Sequence, residues 1–133
     1  MRTERGLAGL LLLTGTTHML RPALYDPIVP RVLPGEARAW IYASGVAELA
    51  VGAALLVPRL HRRAALAAAV LFVVVFPGNV QMALDGGYPG ASGLLGSPLL
   101  AWARLPLQVP LIWWSLLLAR REDPSPVREQ PGR

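Results

Sequence analysis

Six side chains in this chain have the chemistry to bind or exchange something: His18, Ser44, Glu48, Asn79, Arg104 and Gln108. Each interrupts a stretch of residues apolar enough to lie in a bilayer. Polar and ionisable groups are costly in hydrocarbon and mark sites or packing networks there. Arg offers five donors in a planar fork, enough to hold a carboxylate and also a ligand carbonyl or anionic group. A histidine with an ordinary pKa near 6.5 exchanges protons at neutral pH. Binding of a small polar-headed molecule, with proton exchange at its edge, is the chemistry this set supports.

Helical spacing groups these residues. Thr14 and His18, Ser44 and Glu48, and Arg104 and Gln108 are four apart, so each pair shares a helix face. Glu48 is expected roughly 12 Å below the outer end of its helix and Arg104 roughly 8 Å. Gln108 is expected at roughly 14 Å, Asn79 at roughly 8 Å and His18 at roughly 3 Å. All fall in one half of the membrane, and Glu48 and Arg104 are expected to face one another. Two readings stand: a ligand site, and an interhelical hydrogen-bond network that fixes packing where hydrophobicity cannot drive association.

The elements that must position these groups are four apolar spans, at about residues 5–20, 40–57, 64–84 and 99–119. Hydrophobic residues make up 53% of 133 positions and charged residues 16%. Four spans of about 20 residues consume about 80 positions, which leaves short loops and a tail. The expected fold is therefore all-α, a polytopic four-transmembrane-helix bundle in one domain over 1–121, with a disordered polar tail over 122–133. Arg2 and Arg5 before Leu10–Leu13 resemble a signal peptide, but Thr16-Thr17-His18-Met19 offers no small-residue cleavage site, so a retained helix is expected.

Loop 21–39 carries prolines at 22, 27, 30 and 34, which exclude a continuous helix. Two readings suit it: a segment lying over the bundle, and a plain connector. A break is expected near Phe76-Pro77-Gly78. Gly45 and Gly52, with Ala43, Ala47, Ala50, Ala53 and Ala54, give the second helix a small-residue surface suited to close packing.

The net charge is +5, and all basic residues are arginine. They flank apolar segments instead of gathering with aromatics, which argues against nucleic acid. Arg2, Arg5, Arg59, Arg62, Arg63, Arg120 and Arg121 lie on one side, which the positive-inside rule makes cytoplasmic, with both termini. There is no cysteine, so no disulfide or cysteine metal site forms within the chain. His18 and His61 fall on opposite sides, which argues against a metal shared between them. No Walker A loop, dinucleotide fingerprint, nucleophile elbow or zinc-protease motif is present, and no catalytic residue is assigned.

Four segments carry a resemblance: GTTHMLRPALYDPIVPRVLPG (15–35), WIYASGVAELAVGAALLVP (40–58), FPGNVQMALD (76–85) and RLPLQVPLIWW (104–114). Their G-x-x-H, S-G-x-x-E-L, F-P-x-N and R-L-P-L-Q elements resemble the DoxX-like family of small bacterial membrane proteins. Met19 stands where an aromatic often follows the histidine in that family. The resemblance implies a four-helix bundle in the bacterial inner membrane, linked to membrane redox systems. On that reading an outer-half cavity takes a lipophilic, quinone-like ligand. Arg104 and Gln108 hold it, Glu48 orients Arg104, and His18 exchanges protons. The alternative is a non-catalytic membrane subunit or assembly partner whose polar layer serves packing. Expected partners are the lipid bilayer and a membrane or redox-complex protein, with a homo-oligomer as a further option.

Overall fold

A computed structural model describes residues 2–88 and 92–120, and every regular element in them is helical. Four α-helices follow in order: α1 (Arg2–Leu20), α2 (Ala37–Leu55), α3 (His61–Leu84) and α4 (Pro98–Ala119). The expectation for the tail lies outside the described residues.

Local chemistry sets the boundaries. Pro58 closes α2, because the residue before a proline is pushed out of the helical region, and a single 3₁₀ turn, Pro58–Leu60, leads into α3. Ser97 caps α4 by accepting from the Leu99 amide at 3.2 Å, with Pro98 in the first turn, the position where its missing N–H costs nothing. After α3 the chain reverses through Gly86 and Gly87, both at positive φ. A Cβ on Gly87 would lie 2.6 Å from the Gly96 carbonyl oxygen, so only glycine fits there.

The expected break at Pro77 does not occur. α3 runs through it to Leu84, and α4 likewise runs through Pro106 and Pro110. Proline removes one intrahelical bond and disturbs its turn. A side chain from α4 takes up a carbonyl of that stretch, since Gln108 Nε2 donates to the Phe72 oxygen.

α1 and α2 form one antiparallel hairpin and α3 and α4 a second, and the two meet mainly along α2 and α3. Glycines set the closeness of the first hairpin. A Cβ on Gly45 would lie 2.8 Å from the His18 Cβ, and one on Gly15 would lie 2.9 Å from the Gly45 oxygen. We call the end carrying Leu20, Ala37, Leu84 and Pro98 the upper end, and the opposite one the lower. The main core sits towards the lower end, where Leu7, Ala8 and Leu11 pack with Leu55, Ala64, Ala65, Ala68, Phe72, Leu118 and Ala119. A smaller cluster of Met82, Ala83 and Ala101 lies at the upper end, with Ile28, Tyr88 and Leu105 against it.

The 21–36 loop lies over the bundle. Two 3₁₀ turns, Pro22–Leu24 and Asp26–Ile28, pack it against α2 and α3. Ion pairs tie it on both flanks: Arg38 donates to both Asp26 oxygens, and Arg31 reaches Asp85 at 3.4 Å.

Many large apolar side chains point outwards, among them Leu20, Val70, Val74, Leu99 and Val109, each more than 60% exposed. The segment Pro58–Leu84, with mean hydropathy 1.9, is long and apolar enough to cross a membrane. Among the described residues it is the one helical segment to reach that length and hydropathy together.

Candidate functional site

The six candidate residues do not form one constellation; they divide between the hairpins. In the first hairpin, α1 supplies His18 and α2 supplies Ser44 and Glu48. His18 Nδ1 lies 2.8 Å from the Thr14 carbonyl oxygen and 3.5 Å from Glu48 Oε2. A carbonyl can only accept, so Nδ1 carries the proton and Nε2 is left as the ring's second, proton-accepting nitrogen. Ser44 Oγ donates to Glu48 Oε1 at 3.4 Å. Both approaches to the carboxyl group are longer than a normal hydrogen bond, and Oε2 has no hydrogen-bond partner although Glu48 is 6% exposed. Such an under-satisfied buried oxygen is expensive and points to a role beyond packing.

His18 stands two residues from the end of α1 at Leu20, the depth expected within its own helix, but the ends of the two helices are not level. α2 begins at Ala37 and stands about five residues, or about 7 Å, beyond the end of α1 at this register, which brings His18 level with Gly45 and within reach of Glu48.

The second hairpin holds a closed network. Asn79 Nδ2 donates to Gln108 Oε1 at 3.0 Å, while Gln108 Nε2 donates to the Phe72 oxygen. Gln108 is buried, and its amide oxygen and one of its two N–H donors are engaged within the hairpin.

Arg104 does not pair with Glu48. Its Nη1 donates to Met82 Sδ at 3.8 Å, and its guanidinium lies 5.7 Å from the centre of the Tyr88 ring. The two charged groups belong to different hairpins, and aromatic rings occupy the space between them. Among the described residues no carboxylate lies within ion-pair distance of Arg104. A thioether and a ring face are weak partners for a guanidinium.

Two residues that the sequence left unassigned connect these parts. Tyr25 stacks on His18 with ring centroids 3.8 Å apart and planes 21° apart. Its hydroxyl meets Thr17 Oγ1 at 2.6 Å, and its edge contacts Tyr88 at 6.4 Å between centroids. Burial pushes the Tyr25 phenol above its ordinary pKa, the Thr17 hydrogen bond pulls it back, and Glu48 and Arg104 act on it in opposite senses. Tyr25 thus lies within electrostatic reach of both charged groups. An aromatic hydroxyl in a proline-stiffened loop was the available signal for it.

A recess of about 620 Å³ opens beside the loop, lined by Asp26, Pro27, Val29, Pro30, Arg31, Leu33, Gly35, Ala37 and Asp85. None of the six candidate residues lines it, though Asp26 directly follows Tyr25. No group of three or more His, Asp or Glu residues is arranged to hold a metal among the described residues.

No curated protein and no solved structure matches the chain. The model of a family described as a domain of unknown function, DUF8561, matches residues 7–119. That span covers most of the sequence and contains all six candidate residues, so the chain belongs to the DUF8561 family.

Proposed function

We propose that this chain is a four-span, DoxX-like bundle of the bacterial inner membrane. In this reading it binds a small lipophilic, quinone-like molecule between its two hairpins in support of a membrane redox system. The helices contain 19, 19, 24 and 22 residues. Their lengths of about 29 to 36 Å suit a hydrocarbon core of about 30 Å. The surface supports the same reading: large apolar side chains such as Leu20, Val70, Val74, Leu99 and Val109 are exposed, while Glu48, Gln108 and Ser115 are buried.

The observation that carries the ligand reading is the pairing of two unmet needs around one aromatic group. Glu48 Oε2 is buried with no partner at hydrogen-bond distance, His18 Nδ1 standing off at 3.5 Å, and Arg104 has no carboxylate within ion-pair distance among the described residues, with Tyr25 and Tyr88 between them. A quinone supplies carbonyl acceptors, a flat ring and the capacity to take up protons and electrons. Arg104 suits a carbonyl, Tyr25 and Tyr88 suit the ring, and His18 Nε2 and Glu48 suit proton exchange. The recess beside Asp26 serves as a vestibule in this reading. Asn79 and Gln108 play the second role considered for the polar residues, that of a packing network, because they bond to one another and to the Phe72 carbonyl within one hairpin.

The test is binding of a short-chain quinone analogue to the detergent-purified protein, followed by tryptophan fluorescence. Arg104→Gln should weaken binding at least about ten-fold, the loss of roughly one charge-assisted hydrogen bond, with melting temperature little changed. Equal loss of binding and of thermal stability would assign the whole layer to packing.

A further inference from the structure

The arginines at the two ends of the bundle are in different electrostatic situations. At the upper end Arg31 and Arg38 are matched by Asp85 and Asp26, and Arg21 shares its loop with Glu36. At the lower end Arg5, Arg59, Arg62, Arg63 and Arg120 are all exposed, and no carboxylate lies within ion-pair distance of any of them among the described residues. Among the described residues the acid of that end is Glu4, which has His61 at 3.9 Å and a further contact of its own.

The residues that carry these five guanidiniums lie at the same end of the bundle. Arg5 follows Glu4, and Arg62 follows the His61 that Glu4 approaches. Arg120 follows Ala119, which packs in one cluster with Leu7, Ala64 and Ala65. Arg59 stands on the 3₁₀ turn joining α2 to α3. Immediately beside them, Leu56, Val57, Leu60, Leu66 and Leu117 are exposed. A group of exposed planar cations with no carboxylate partner among the described residues, bordering exposed aliphatic side chains, is complementary to a phosphodiester anion that carries acyl chains.

We infer that the lower end of the bundle is a binding site for the headgroup of anionic phospholipids of the inner leaflet, formed by Arg59, Arg62 and Arg63 with Arg5 and Arg120. The site is separate from the upper site around Tyr25. It rests on the membrane reading above and not on the identity of the ligand there. Phosphate oxygens accept from the guanidinium forks, and the acyl chains lie along the exposed ends of α2, α3 and α4.

The experiment uses the full chain purified in a neutral detergent and titrated with phosphatidylglycerol or phosphatidylcholine, with lipid retention read by native mass spectrometry. Phosphatidylglycerol should be retained at least about five-fold over phosphatidylcholine, the effect expected for even one basic residue. The preference should shrink as salt is raised. The triple variant Arg59→Gln/Arg62→Gln/Arg63→Gln should lose the preference, and Arg31→Gln should keep it. Equal retention of the two lipids by the wild type overturns the inference. So does a preference that survives the triple variant, or full displacement by inorganic phosphate, which would make the site a general anion site. If the triple variant does not fold, Arg63→Gln and Arg120→Gln decide singly, each expected to lower the preference. Failure of the membrane reading is seen separately: the chain would then leave the membrane fraction on carbonate extraction.

Discussion

His18 and Tyr25 stack nearly face to face, with ring centroids 3.8 Å apart, and this contact fastens the 21–36 loop to the upper end of α1. The loop is also held by the Tyr25 hydroxyl on Thr17. Tyr25→Phe removes that hydrogen bond alone and should cost about 0.5–1.5 kcal/mol. Tyr25→Ala also removes the stack and should cost about 1 kcal/mol more. Thermal unfolding of the two variants in the same detergent separates the terms, and equal costs would show that the stack contributes nothing.

Loop attachment should depend on pH in a defined sense. The Arg38 hydrogen bonds beside Asp26 hold its carboxyl below the ordinary carboxylate range. A depressed folded value means the stabilisation is present above the unfolded pKa and is lost as pH falls through the folded one. The acid side of the melting-temperature profile should therefore steepen below pH about 4. Asp26→Asn should flatten it. The pair is exposed to solvent, which screens it, so its contribution is small. Tyr25 acts in the opposite direction: its raised value keeps stabilisation intact up to pH about 10, with loss above that.

Gly45 is the tightest point of the first hairpin. A side chain there meets the His18 Cβ and the Met19 sulfur, so Gly45→Leu should separate α1 from α2. The expected cost is about 1–3 kcal/mol, with loss of the His18–Glu48 approach. Gly9, with nothing within 4 Å of a built Cβ, is the control: Gly9→Ala should leave stability unchanged or slightly raised.

Gln108→Leu should destabilise without touching the ligand. It leaves the Asn79 amide and the Phe72 carbonyl without their partner, a cost of about 1–3 kcal/mol. Quinone-analogue affinity, measured below the variant's melting temperature, should match the wild type. A parallel fall in affinity would return Gln108 to the binding site.

The helices were legible from the sequence because apolar runs, prolines and a serine cap fix them locally, and each boundary lies within a few residues of the expected one. The small residues of α2 were read correctly only in part. Gly45 and Gly52 do face α1, whereas Ala43, Ala50 and Ala53 are exposed. Spacing alone does not say which side of an alanine-rich helix meets its neighbour. Continuity through Pro77 was missed because a proline removes only one intrahelical bond, and the helix runs on through that loss. The pairing of Glu48 was missed for a related reason. Depth counted from each helix end assumes level ends, and α2 stands higher than α1, so the carboxylate meets His18 instead of Arg104. Tyr25 and Tyr88 were invisible as site residues because both lie on loops, where no periodicity assigns a direction.

The separation of the polar residues into two self-contained halves has a mechanical consequence. At the upper end the halves are joined through the loop, by the exposed Arg31–Asp85 contact, the Tyr25–Tyr88 edge and the packing of Ile28 on Met82 and Ala83, while their lower ends interlock through tightly packed alanines and leucines. The chain is built like a clothes-peg, with its spring at the arginine-bearing base. The Asn79–Gln108 and Ser44–Glu48 bonds each lie within one half, so a change in the angle between the halves would leave both whole.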